Sequence, residues 1–280
     1  MPSAGETAEA LLCDGYTIIS SFLTADDLRV LTEEVEQFLA SADVDVICRP
    51  GLFPLRWNDA IVARVLRSER HMRSLRASLG DSDLKWLSGY VSTREPRTLA
   101  LWWHQDWWCW DHPISYRRAA TQVAVLCYLS DTDTDSGALR VLPGSHHVGM
   151  AAHRLLPEPH GNVADELPPD HPALADLPGQ RTIRLQAGDA VALDYRLLHG
   201  THANDTCRRR DRLLLSFIPA WDDLPMGMKA HLIQHHALPG EAEAESVSAS
   251  GYAEMLPRFD GLRVSLPINR VPPAWFTVSD

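Results

Sequence analysis

Residues 188–221, "GDAVALDYRLLHGTHANDTCRRRDRLLLSFIPAW", decide the fold. After the turn marker Gly188-Asp189 the stretch reads as an apolar strand over 190–198 that ends at His199. A polar turn follows, then a second apolar strand over 211–219. Working outward, short runs rich in Val, Leu, Trp and Tyr recur at 85–92, 98–104, 120–129, 138–142 and 181–186, broken at Gly137 and Pro143-Gly144. Upstream lie a strand-like run at 16–20 and a helix capped by Thr24 with Asp27 three residues on. A second helical region, capped by Asn58, spans roughly 59–79. Helices first, then seven or more strands with no helices between them, exclude a parallel α/β sheet. The class is mainly β with flanking helices (α+β), a double-sheet barrel or jelly roll with helices packed outside.

Size and composition narrow the partners. A chain of 280 residues with 45% hydrophobic and 22% charged residues is globular, and a formal charge of −11 leaves no basic stripe for nucleic acid or anionic lipid. No apolar run is long enough to span a membrane, and the N-terminus lacks the basic start and apolar core of a signal peptide. Five scattered cysteines (Cys13, Cys48, Cys109, Cys127, Cys207) without a CxxC pair read as reduced thiols in a cytoplasmic protein.

The chemistry concentrates in "WWHQDWW" (102–108), where an imidazole and a carboxylate sit inside a wall of tryptophan. Burying an unpaired carboxylate is costly, so Asp106 calls for a partner or a metal. On a strand His104 and Asp106 project to one face and supply two ligands of a 2-His-1-carboxylate facial triad, the usual non-haem Fe(II) arrangement. The third must come from afar. Of 13 histidines, His146 and His147 follow a "PGS" turn and read as exposed; His153, His160 and His171 lie in a proline-rich loop. His231 and His235 in "HLIQH" read as one surface helix without the glutamate of a zinc protease. His199 reads either as a strand-end histidine bonded to backbone or as the distant ligand. Arg210 and Arg212 share one strand face, and either can hold a carboxylate bidentately.

The segments "CDGYTIISSFLTADDLRVL" (13–31), "HQD" (104–106), "GALRVLPGSHH" (137–147), "GDAVALDYRLLHGTHAND" (188–205) and "RRDRLLLSF" (209–217) together resemble the phytanoyl-CoA dioxygenase (PhyH) family. The resemblance implies a double-stranded β-helix, Fe(II) as cofactor, and 2-oxoglutarate and O₂ as cosubstrates. It implies His104, Asp106 and His199 as iron ligands. It places the 2-oxoglutarate anchor eleven residues after the second histidine, at Arg210, with Thr201 assisting and Gln122 as a further cosubstrate contact. Arg212 is expected to pair with an acid nearer the rim. Trp102 would pack beside the metal, and Trp107, Trp108 and Trp110 would line the barrel mouth as substrate contacts.

The implied reaction hydroxylates an unactivated C–H of a small molecule of secondary metabolism, releasing succinate and CO₂. Desaturation, ring closure or epimerisation are the alternatives within the same chemistry. Halogenating relatives replace the carboxylate by a small residue, so Asp106 speaks against halogenation. From other classes, a non-catalytic β-barrel binding protein or a zinc hydrolase would fit the same triad. One oxygenase domain is expected over 1–280, working as a monomer or homodimer. Its parts are N-terminal helices in 1–80, core strands at about 85–220, lid segments 107–119 and 146–180, and a C-terminal region 222–280.

Overall fold

The computed structural model describes residues 4–41, 51–80, 83–154, 156 and 167–276. Cys48, His160 and the part of the expected lid at 155 and 157–166 lie outside these.

Two-sided alternation builds the centre. In β5 (Val123–Tyr128) all six residues are buried: Val123, Val125 and Cys127 face one layer, Ala124, Leu126 and Tyr128 another. β8 (Ala190–Asp194) divides in the same way, Ala190 and Ala192 against Val191 and Leu193. In β10 (Arg210–Ile218), Leu213, Leu215 and Phe217 join the first layer, while Arg210, Arg212 and Leu214 alternate to the second. These strands form the middle of an antiparallel six-stranded sheet. It is completed by β1 (Tyr16–Ile19), β2 (Leu52–Leu55) and β3 (Lys85–Arg94), in the order β1-β8-β5-β10-β3-β2.

A second antiparallel sheet faces it. Its strands are β4 (Leu101–His104), β6 (Leu139–Val141), β7 (Arg181–Ile183) and β9 (His199–Thr201), in the order β4-β9-β6-β7. Leu139, Val141 and Ile183 from this sheet pack on Tyr16, Leu126, Tyr128, Val191 and Leu193 from the other. The result is the predicted jelly-roll arrangement, mainly antiparallel sheet with helices outside.

Helices α1 (Ala4–Asp14), α2 (Ala25–Ser41), α3 (Ala60–Arg67) and α4 (Glu69–Leu79) cover the outer face of the larger sheet through Leu11, Leu31, Val35, Val62, Leu66 and Leu75. α2 opens with the predicted capping box: Asp27 N donates to Thr24 Oγ1 (3.1 Å) and Thr24 N to Asp27 Oδ2 (2.8 Å). The helix expected over 59–79 is two helices. Ser68 is extended (φ −78°, ψ 109°) and its hydroxyl accepts from His71 N at 3.3 Å, because serine caps a helix better than it continues one. Nor does Asn58 cap α3; the cap position is Asp59, whose carboxylate accepts from Arg56 N instead.

Three histidine readings change. His146 is fully buried, with its ring against the carbonyl of Leu12 (3.1 Å) and 3.7 Å from that of His147. A Cβ on Gly15, where φ is +83°, would meet that ring at 2.6 Å, so glycine is required there twice over. His231 and His235 do not share a helix, since α5 (Met226–Leu232) ends before the second.

Burial pulls the imidazoles of His146, His153 and His235 down to about 4. In the unfolded chain they titrate near 6.5, so between those values the unfolded state binds more protons. Their contribution is therefore intact above pH 6.5 and lost as the pH falls toward 4. Thermal denaturation should show a falling Tm across this window, and His146→Gln should flatten it. A Tm that is constant from pH 7 to 4.5 contradicts this assignment.

Candidate metal centre

His104 closes β4, His199 opens β9, and the two are cross-strand partners. The apolar strand expected over 190–198 stops at Asp194, so His199 begins a strand of the second sheet. Asp194 enforces the turn. Its carbonyl accepts from Leu197 N (2.9 Å) and its carboxylate from Arg196 N (2.8 Å) and from the Arg196 guanidinium (2.9 and 2.5 Å). Asp106 lies beyond the end of β4, so strand alternation does not place it. Instead Asp106 N and Trp107 N both donate to the Tyr195 carbonyl at 2.8 Å, which turns the carboxylate toward the two imidazoles.

One ligand atom from each of His104, Asp106 and His199 lies within 4.8 Å of the others. His104 Nε2 is 3.9 Å from Asp106 Oδ1, and His199 Nε2 is 3.6 Å from Oδ2. On the far side of each ring, Nδ1 donates to a carbonyl two residues back: Trp102 O for His104 (2.9 Å) and Leu197 O for His199 (3.0 Å). A carbonyl only accepts, so Nδ1 carries the proton and Nε2 presents a lone pair to the shared space, the outer-shell pattern of metal-binding histidines. Two neutral imidazoles and one carboxylate in a largely buried pocket suit a divalent cation with open positions, and this donor set fits non-haem Fe(II).

Thr201 is buried on the same strand as His199, and its hydroxyl accepts from Leu101 N at 3.4 Å. Further along, Arg210 donates Nη1 to Gly137 O (2.5 Å), while its Nε and Nη2 are buried with no partner. Those orphaned donors are the fit expected of an anion site. Gln122 is occupied: its oxygen accepts from Trp108 Nε1 (3.1 Å) and its amide donates to Ser216 Oγ (2.9 Å). Among the described residues Arg212 has no acidic partner, contrary to expectation. It reaches Ser92 Oγ (3.4 Å) and the Tyr128 hydroxyl (3.3 Å), because the strand turns it into the barrel rather than to the rim.

Of the tryptophans, Trp102 stands beside the metal site, its ring 4.8 Å from His104. Trp107 and Trp110 are 1% and 0% exposed and pack in the main core, not at a mouth. Trp108 joins the same core and stacks on His231 at 4.6 Å. The stretch 107–110 is thus poorly suited to open as a lid. It is tied to the C-terminal segment: Asn269 N donates to Trp108 O (2.9 Å), Trp110 N to Asn269 O (3.1 Å), and Arg270 Nη1 to Asp106 O (3.3 Å). The described part of 146–180 also seats inward, where Ala175 O accepts from Trp103 Nε1 (2.8 Å) and Ala173 packs on Trp102.

Sequence reasoning missed Tyr195, whose carbonyl aims Asp106 and whose hydroxyl bonds to Ser216 and Gln122. It also missed Asn269, Arg270 and Arg94. Only the position of Tyr195 inside "LDYRLLHG" offered a signal.

Known proteins resemble the chain in sequence and fold. The family model described as Phytanoyl-CoA dioxygenase (PhyH) matches residues 11–211. A probable alpha-ketoglutarate-dependent hypophosphite dioxygenase of Stutzerimonas stutzeri is 25% identical, covering 94% of this chain and 91% of its own. An ectoine dioxygenase of Sphingopyxis alaskensis is 25% identical over 91% of this chain and 90% of its own. Among solved structures, EctD from S. alaskensis with 2-oxoglutarate and 5-hydroxyectoine superposes with a TM-score of 0.57 at 20% identity, covering 78% of this chain and 76% of that one.

Proposed function

The chain belongs to the phytanoyl-CoA dioxygenase family, and from that premise we propose which residues carry its chemistry and on what it acts. It is an Fe(II)- and 2-oxoglutarate-dependent dioxygenase. His104, Asp106 and His199 hold the iron, and Arg210 with Thr201 holds the distal carboxylate of 2-oxoglutarate. When bound, the iron couples O₂ reduction to the oxidative decarboxylation of 2-oxoglutarate and so to oxidation of a substrate C–H. The protein's own residues fix the geometry. The carbonyls of Trp102 and Leu197 lock both imidazoles in the ligating tautomer, the Tyr195 carbonyl aims Asp106, and the Trp102 ring walls off water beside His104.

The reading rests on one observation: three metal-ligating side chains converge on one buried point in a barrel that also holds a buried guanidinium with unspent donors. We infer hydroxylation of an unactivated C–H in a small molecule, a reading supported by similarity to an L-proline trans-4-hydroxylase of Streptomyces griseoviridis and to the ectoine dioxygenase. We assign specificity to 107–119, 146–180 and 222–280, and read 1–280 as one domain acting as monomer or homodimer. The free thiols of Cys13, Cys109, Cys127 and Cys207 support a reducing, cytoplasmic setting.

Anaerobic addition of Fe(II) and then 2-oxoglutarate should produce a metal-to-ligand charge-transfer band, and O₂ should convert the bound cosubstrate to succinate. A product one oxygen atom heavier than the substrate identifies hydroxylation. A product two hydrogens lighter identifies desaturation or ring closure, and an isomer epimerisation. No charge-transfer band, or turnover that needs neither O₂ nor 2-oxoglutarate, overturns the assignment in favour of a binding protein or a hydrolase.

A further inference from the structure

β10 turns two arginines, not one, into the barrel. Arg210 and Arg212 stand 5.6 and 6.0 Å from the centre of the same Tyr128 ring. On β3, Arg94 is the cross-strand partner of Arg210, and Ser92 that of Arg212. Three guanidinium groups therefore share one end of the barrel interior. Among the described residues their partners are all neutral: Gly137 O for Arg210, Leu99 O for Arg94, and the Ser92 and Tyr128 hydroxyls for Arg212. Asp211, the acid between the two strand arginines, points to the opposite face, where Arg209 holds it at 2.8–3.1 Å. Arg210 Nε and Nη2 and Arg94 Nε are buried without any partner.

Such a cluster is costly to keep. Burying charge without a counter-charge is unfavourable, and like charges add to the cost. Burial first, and the neighbouring Arg212 next, pull the guanidinium groups of Arg210 and Arg94 down to about 9 and 10. A fold does not gain stability from this arrangement by itself. It gains when an anion enters, because one carboxylate can accept from several guanidinium donors at once.

We propose that Arg94, Arg210 and Arg212 form one clamp for the distal carboxylate of 2-oxoglutarate, with Arg212 a direct contact and Arg94 the third cation. The ligand-free barrel then carries the cluster's repulsion, and cosubstrate binding relieves it. This rests on 2-oxoglutarate being the cosubstrate, but assigns its recognition to three residues where the sequence offset points to Arg210 alone. Two consequences follow. Binding depends steeply on the distal carboxylate, and succinate, which keeps a carboxylate at that position after turnover, competes for the clamp.

The test uses the full chain and two readouts, thermal denaturation without metal and the anaerobic Fe(II)–2-oxoglutarate charge-transfer titration. Wild type should be stabilised by sodium 2-oxoglutarate and by succinate, but not by 2-oxopentanoate, which lacks the distal carboxylate, at equal ionic strength. Arg212→Met should raise the Tm of the ligand-free chain by removing one of three like charges. It should also weaken 2-oxoglutarate at least tenfold and abolish the stabilisation by succinate. Arg94→Met should do the same to a smaller extent, and Arg212→Lys, which keeps the charge and loses the fork, should fall between wild type and Arg212→Met.

If Arg212→Met or Arg94→Met lowers the ligand-free Tm, or fails to fold, while Arg212→Lys binds 2-oxoglutarate as wild type does, these arginines are structural and the clamp is wrong. If Arg210→Met alone loses 2-oxoglutarate, a single anchor operates: the clamp fails and the dioxygenase assignment stands. If wild type gives no charge-transfer band with 2-oxoglutarate, the assignment itself fails.

Discussion

His104→Ala, Asp106→Ala and His199→Ala should each lower 2-oxoglutarate-dependent succinate formation by at least about 100-fold, since even outer-shell changes at metal sites cost 10–100-fold. The argument is geometric. Each side chain contributes one of three converging ligand atoms, so each substitution removes one of the three protein donors. Iron content after anaerobic loading should fall with activity, whereas circular dichroism should change little, because the three side chains converge on one another and the hydrophobic layers are built from other residues. Near-normal decarboxylation by any one of the three would remove that residue from the ligand set. Asp106→Ala separates metal loss from misfolding best, since the loop around it is fixed by backbone contacts to Tyr195 and Arg270 that survive the substitution.

The second large effect lies in stability. Arg196→Ala should destabilise the fold by about 3–5 kcal/mol, the usual cost of leaving a buried charge uncompensated. Arg196 is 1% exposed. It holds the Asp194 carboxylate at 2.9 and 2.5 Å, and donates to the carbonyls of Ser115 (3.0 Å), Arg117 (2.5 Å), Arg118 and Ala119 (both 3.4 Å). Its loss strands a buried carboxylate and four carbonyls, and loosens the turn that delivers His199 to the second sheet. The Tm should drop by about 5–15 °C. Burial pushes the Asp194 carboxyl up, but Arg196 and then His146 outweigh it and hold the group below its ordinary range. This pair therefore stabilises fully above about pH 4, and its contribution fades as the pH drops below that value. A change under 1 kcal/mol in Arg196→Ala would show that the turn is held by its backbone bonds alone.

The sequence by itself determined what periodicity and spacing can encode. The apolar runs at 120–129, 190–198 and 211–219, bounded by turn residues, announced strands, which fold as 123–128, 190–194 and 210–218. Thr24 and Asp27 marked a helix start that the capping box realises. The pair His104 and Asp106 was legible because a carboxylate among tryptophans demands a partner, and His199 because of its place among ordered motifs. Local pattern reports which way a side chain turns, not what stands opposite, and everything the sequence left open is of that second kind. His146 follows a turn that looks solvated, yet α1 closes over it. Trp107 and Trp110 looked like a rim, yet the C-terminal segment returns from 269–276 to bury them, with Phe276 set edge-on against Trp110 at 4.5 Å. Arg212 looked like a rim residue awaiting an acid, but the pairing of β10 with β3 and β5 surrounds it with Ser92, Tyr128 and two more arginines. Such contacts join residues far apart in the chain, 165 positions in the case of Gln105 and Arg270. No window of sequence contains both partners, so only the closed barrel decides whether a buried charge meets its counter-charge or waits for a ligand.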